Sequence, residues 1–156
     1  MKLTKMDQIA LLHGQYSAVL DEDRLEEWPS LFTDQCLYRV THRRDFERGF
    51  QHGAIWANTR GMLHDRVSAL REANIFEDHV YRHISSSLRI IENEQQFCVV
   101  HSNFVVIRTM QNGDMSVFAA GVYRDKILFD EEGALFNERI VICDSQRFDT
   151  LLAIPL

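Results

Sequence analysis

The chain has no apolar run approaching the roughly 20 residues that cross a bilayer as a helix, so no helical membrane span is expected. Cysteine is scarce. Cys36, Cys98 and Cys143 lie far apart among apolar neighbours, which reads as free buried thiols in a reducing cytoplasm rather than a disulfide framework. Positive charge is in deficit: 17 Lys and Arg stand against 23 Asp and Glu, for a net charge of −6, and the two signs are mixed along the chain. A nucleic-acid-binding surface needs a concentrated basic footprint, so nucleic acid is not an expected partner. The opening MKLTKMDQ is basic but has neither an apolar segment nor a small-residue cleavage site, and is not expected to be a signal peptide. No G-x-G-x-x-G, P-loop, G-x-S-x-G or H-E-x-x-H pattern occurs, so no nucleotide site or activated nucleophile is predicted. Repeats, linkers and low-complexity segments are missing as well.

What is present suits one domain over residues 1–156. At 46% hydrophobic, a chain of this length can bury a real core without disulfides. Met6–Leu20 reads as a helix, with Ile9, Leu12, Tyr16, Val19 and Leu20 at helical spacing. Asp21–Asp23 breaks it, and Asp23 can cap a short helix, Arg24–Phe32, where Pro29 suggests a kink or two short turns. Cys36–Thr41 is a strand. The polar stretch 42–53, with Arg39, Arg43, Arg44 and Arg48 in and around it, reads as a loop or exposed arm. Ala54–Ala57 suits a short strand, and Thr59 a cap for the helix that follows.

The stretch 61–85, GMLHDRVSALREANIFEDHVYRHIS, changes period in the middle. Leu63, Val67 and Leu70 share a helical face beside Ala69 and Ala73. After the connector Phe76–His79 the period becomes two. Val80, Ile84, Leu88 and Ile90 are expected on one face, and Tyr81, His83, Ser85 and Ser87 on the other. Strands are then predicted over Val80–Ile91, Gln96–Met110, Met115–Phe129 and Leu135–Arg147. Asn112-Gly113 marks a hairpin, and Glu131-Glu132-Gly133 a looser turn. The expected fold is α+β, with N-terminal helices packed on a long antiparallel sheet that must curve into a cone. Several strands are apolar on both faces (Val99, Val105 and Ile107 against Val100, Phe104 and Val106). The outer face is therefore expected to be covered by another chain.

Five groups of residues invite a chemical reading. His79 and His83 have the spacing of a helical zinc pair, but on a strand they stand roughly 13 Å apart and cannot share a metal. Cys98-Val99-Val100-His101 is like half of a Rieske ligand set, but its partner segment is missing and odd spacing points the two side chains to opposite faces. Asp21, Tyr38, His64, Asp65 and His83 could line a cone-shaped cavity, where an Asp–His pair would serve as general acid and base, as in a stand-alone dehydratase or isomerase. Arg60, Arg66, Arg71 and Arg82, near Asp65, Glu72, Glu77 and Asp78, read as an interface salt-bridge network, with a solvated helix face carrying weak ion pairs as the alternative. The tail DTLLAIPL, Asp149–Leu156, is expected to dock, on the chain's own sheet or on another subunit.

Four stretches carry a family resemblance. They are Trp28–Phe32 with Cys36–Val40, Asp65–Ile75 (DRVSALREANI), Tyr81-Arg82-His83, and Glu138-Arg139-Ile140 through Cys143-Asp144-Ser145. In this order, over nearly the whole chain, they resemble the small (beta) subunits of aromatic-ring-hydroxylating dioxygenases. Within that family the likeness is greatest to the branch acting on carboxylated rings, terephthalate first, then anthranilate and salicylate. The segment 42–58 keeps only the aromatic, acidic and glycine pattern, so no residue roles carry over there.

The resemblance implies a cone-shaped fold of the nuclear-transport-factor, scytalone-dehydratase and SnoaL-like group. It also implies a heterohexamer of three large and three small subunits. The Rieske [2Fe-2S] cluster and mononuclear Fe(II) would lie in the large subunit, with a separate reductase supplying electrons from NAD(P)H. This chain is then expected to hold no catalytic, cofactor or metal residues of its own. Arg66, Arg71, Tyr81, Arg82 and His83 are its expected interface, together with Leu151, Leu152, Ile154 and Leu156 of the tail.

Overall fold

The computed structural model describes residues 1–73, 77–148 and 152–156. Helix α1 spans Lys5–Asp21. Its start is a capping box: Asp7 N–H donates to Thr4 Oγ1 at 3.1 Å, and Thr4 N–H donates to Asp7 Oδ2 at 2.9 Å. The buried face is Ile9, Leu12, His13, Tyr16, Val19 and Leu20. The segment Leu25–Leu31 is a 3-10 helix containing Pro29. The missing N–H of Pro29 suits this short, tight geometry.

Strand β1, Phe32–His42, starts earlier than predicted. The arm after it contains one helical turn, α2, Arg43–Glu47. It lies back on the outer face of the sheet. A Cβ at Gly53 would stand 2.0 Å from Val40 O, so only glycine permits that approach. Strand β2, Ile55–Ala57, leads to helix α3, Arg60–Ala73, where Thr59 Oγ1 accepts from Met62 N–H at 3.2 Å as the expected cap. Four strands complete the fold: β3, His79–Asn93; β4, Phe97–Met110; β5, Met115–Phe129; and β6, Ala134–Cys143.

The sheet order is β2-β1-β6-β5-β4-β3. The meander β3 to β6 is antiparallel as expected, but β1 lies parallel to β6, with Tyr38 opposite Arg139 and Val40 opposite Val141. The sheet is therefore mixed. Parallel pairing requires a long crossover, which the whole intervening chain provides here. Strand β6 also stops at Cys143 rather than reaching Arg147, because the chain turns away at Asp144 and Arg43 bonds that carboxylate.

Bulges curve the long strands, at Ser86/Arg89 and Ile90/Glu92 in the β3–β4 pair and at Val106/Ile107 in the β4–β5 pair. Ser87, in the first of these, has φ +55. These bulges correct the predicted faces of β3. Before Ser87, Tyr81 and His83 point into the core while Val80 and Ile84 are exposed. Beyond it, Leu88 and Ile90 pack on the core. The four apolar residues therefore do not share a face.

Helices α1 and α3 and the tail 152–156 fill the inner side of the sheet, and all five tail residues are buried. No described helix is long and apolar enough to cross a membrane.

Candidate functional site

Two polar clusters lie inside the cone. In the first, Arg139 on β6 grips Asp125 on β5 with two hydrogen bonds, Nε to Oδ1 at 2.9 Å and Nη2 to Oδ2 at 3.2 Å, both side chains being almost fully buried. The guanidinium lies over the rings of Tyr123, Tyr16 and Phe136, at 3.7, 4.1 and 4.4 Å. Burial acts against its charge, but Asp125 together with Tyr123 and Tyr16 outweighs it, and its pKa is raised. His13 Nε2 stands 3.3 Å from Asp125 Oδ2 without hydrogen-bond geometry. Burial lowers the His13 pKa, and this outweighs the carboxylate.

The second cluster joins the end of α1 to β3. Asp21 accepts from His83 twice, from the main-chain N–H and from ring Nδ1. The pair sits between two depressions. One, of about 370 Å³, is lined by Leu20, Asp21, Tyr81 and Ile154 among others. The other is a groove of about 460 Å³ between α1 and β3, lined by His13, Gly14, Ser17, His83 and Ser102. His83 Nε2 is buried without a hydrogen-bond partner. A carboxylate fixing an imidazole in this way can hold and move a proton.

Of the other predicted cavity residues, Tyr38 is buried, and its hydroxyl donates to Leu156 O at 2.9 Å beside a second bond from Tyr16 at 2.5 Å. Burial raises the Tyr16 pKa to about 12. His64 and Asp65 do not join them, because both lie on the solvent face of α3.

Several of the predicted interface residues have partners within the chain. Arg66 donates to Leu152 O at 3.1 Å and Ala153 O at 3.4 Å. Arg71 forks onto Asp23 and Glu26. These are not the neighbouring acids Asp65, Glu72, Glu77 and Asp78, because α3 lies against the 3-10 segment. Arg60 bonds Phe32 O and Asp34. Tyr81 and His83 are buried, and Arg82 is exposed. Leu152, Ile154 and Leu156 pack into the chain's own core, while Leu151 lies outside the described residues.

Sequence reasoning missed a basic row on the outer face, two arginines flanking a histidine: Arg89, His101 and Arg124 on neighbouring strands. Their alternation was readable, but their register was not. Counting back from the Asn112-Gly113 turn puts Tyr123 opposite His101, and only the bulge at Val106/Ile107 brings in Arg124.

The histidines and cysteine that the sequence offered as ligands are not brought together. Cys98 faces the core, whereas His101 on the same strand faces outward. His83 Nδ1 is engaged by Asp21. Among the described residues no group of three or more His, Cys, Asp or Glu is placed to hold a metal.

Residues 16–150 match the family model described as "Ring hydroxylating beta subunit". The chain is 42% identical, over 96% of its length and 97% of the relative's, to the terephthalate 1,2-dioxygenase terminal oxygenase component subunit beta 1 of a Comamonas species. It is 38% identical to the anthranilate 1,2-dioxygenase small subunit of Burkholderia cepacia, over 96% of this chain and 92% of that one. Among solved structures, a beta subunit assigned to an aromatic-ring-hydroxylating dioxygenase of Novosphingobium aromaticivorans superposes with a TM-score of 0.87 at 34% identity, covering 96% and 95% of the two chains. A protein of that organism assigned to scytalone dehydratase shares the cone fold, at 17% identity and a TM-score of 0.72 over 96% and 90%.

Proposed function

Because the chain belongs to the ring-hydroxylating beta subunit family, we propose that it is the structural small subunit of a Rieske-type oxygenase acting on a carboxylated, terephthalate-like aromatic ring in the cytoplasm. The observation that carries this reading is near full-length similarity to small subunits named for terephthalate and anthranilate. Three copies join three large subunits. The large subunit holds the [2Fe-2S] cluster and mononuclear iron, which supply electron transfer and O2 activation. A ring, O2, two electrons and two protons give a cis-dihydrodiol, with the electrons passing from NAD(P)H through a reductase. This chain contributes a rigid cone rather than reacting groups. Its central ion pair, its Asp21–His83 clasp and its buried tail all serve packing.

Co-expression with the cognate large subunit tests the proposal. A stable three-plus-three hexamer that dihydroxylates terephthalate, with a large subunit that is inactive or unstable alone, is the expected result. A chain that stays monomeric beside that large subunit would remove the reading.

The Asp21–His83 pair beside open depressions favours one second reading, a stand-alone dehydratase or isomerase. That reading requires the isolated chain to turn over a hydroxylated cyclic substrate and to lose the activity in His83→Ala. Against it, the tail occupies the inside of the cone and takes both tyrosine hydroxyls, Tyr16 and Tyr38.

A further inference from the structure

The registers of β3 to β6 and β1 arrange the outer face into cross-strand rows. One row runs Arg89, His101, Arg124, Ile140, Arg39. Neighbouring strands lie about 4.8 Å apart, so the first three side chains stand side by side, two guanidiniums flanking an imidazole. None of the three has a carboxylate within ion-pairing distance among the described residues, whereas Arg24, Arg43, Arg60, Arg71 and Arg139 each have one. Arg124 and Arg39 bracket the Phe46 ring from the arm, at 4.8 and 5.8 Å, so the arm covers the β1 end of the row and leaves the β3 end open.

The flanking rows contrast with this one. On one side, Lys126 stands opposite Glu138, with Glu92 opposite Val99 in the same row, so the signs are mixed. On the other side come Ser86, Asn103 and Val122. Beyond them lie three rows with exposed apolar side chains, Val80, Ile84, Met115 and Val117, alongside Ile107. The His101 pKa is lowered by burial and then by the Arg124 and Arg89 charges, a repulsion that a bound carboxylate would relieve. A chain with net charge −6 thus concentrates unpaired positive charge beside an apolar patch on its open sheet face. An apolar centre with arginines is the composition of a protein interface.

We propose that this face, the Arg89–His101–Arg124 row with the apolar rows beside it, docks an acidic patch on the large subunit of the oxygenase. The proposal rests on the subunit reading above and replaces the Arg66 and Arg71 corner, whose guanidiniums are engaged within the chain, as the charged part of the contact.

The test is the Arg89→Glu/Arg124→Glu double variant, co-expressed with the cognate large subunit and compared with the unaltered chain and with Arg89→Lys/Arg124→Lys. Double reversal is expected to raise the apparent Kd of assembly at least about tenfold, while the lysine pair assembles normally. The isolated double variant is expected to melt no lower than the unaltered chain, since both arginines are exposed and neither has an ion-pair partner among the described residues. Should it misfold, Arg124→Gln carries the same comparison. Undiminished assembly of the reversed variant overturns the surface. So does a loss confined to self-association of this chain, which would make a second copy the occupant, or a loss confined to binding of inorganic phosphate. If the unaltered chain itself fails to assemble, the subunit reading falls, an outcome separable from failure of the surface alone.

Discussion

Asp21 accepts both the main-chain N–H and the ring Nδ1 of His83, at 2.9 and 2.5 Å. One carboxylate thereby ends α1, occupies an N–H on the edge strand of the sheet, and orients a buried imidazole. Asp21→Ala strands two donors in a buried setting and is expected to cost about 2–4 kcal/mol in urea unfolding. Asp21→Asn keeps an acceptor and should cost less. Equal unfolding midpoints for Asp21→Ala and the unaltered chain would count against the clasp.

The Asp125–Arg139 pair is expected to behave as a unit. Asp125→Ala leaves a guanidinium without its counter-charge and should cost about 3–5 kcal/mol, with a similar loss for Arg139→Ala. Asp125→Leu/Arg139→Met removes both charges at comparable volume and should recover most of that loss. A double-mutant cycle by chemical denaturation measures the coupling, and strict additivity would refute it.

His13 makes stability depend on pH. Its folded pKa lies below the ordinary value near 6.5, so the unfolded chain takes up a proton first as acid is added. The contribution is complete above the unfolded value. It declines as pH falls from there towards the folded value, and is constant below that. His13→Gln should flatten this part of a stability-against-pH curve measured between pH 7.5 and 5. An unchanged slope would assign the acid sensitivity to other groups.

The tail should act as part of the core. Leu156→Ala is expected to cost about 2–4 kcal/mol, because the side chain is fully buried. Tyr38→Phe should cost about 1 kcal/mol, since Tyr16 still donates to Leu156 O. Thermal melts of the isolated chain provide both values, and a tail that tolerates Leu156→Ala without change would be a surface feature.

Arg71→Glu sets a third carboxylate against Asp23 and Glu26. The expected effect is a lower melting temperature of the isolated chain at low ionic strength, partly restored by salt. If Arg71 served only the contact between subunits, the isolated chain would melt unchanged.

Features with a local cause were readable in advance. Helix α1 followed from its apolar spacing, the β4–β5 hairpin from Asn112-Gly113, and the start of α3 from Thr59. The residue types of Asp21 and His83 suit a cavity wall, and the two side chains meet. Features set by distant pairing were not readable. No local pattern announces that β1 lies parallel to β6, or that Ser87 and the Val106/Ile107 bulge reassign faces and partners. His64 and Asp65 illustrate the converse. Their chemistry suited a cavity, but they sit on the outward turns of α3, which buries Leu63 and Val67 instead.

The parallel pairing of β1 with β6 also bears on how the protein is made. Phe32 meets Phe136 and Tyr38 meets Arg139 across about a hundred residues of chain, a separation that slows folding because a large loop must close before the contact is rewarded. On the ribosome β1 is synthesised long before β6, so the edge it offers to β6 stays unpaired until that strand emerges. Strand β6 is the keystone of the cone, and nascent chains halted ahead of it should depend on chaperones more than chains extended past it.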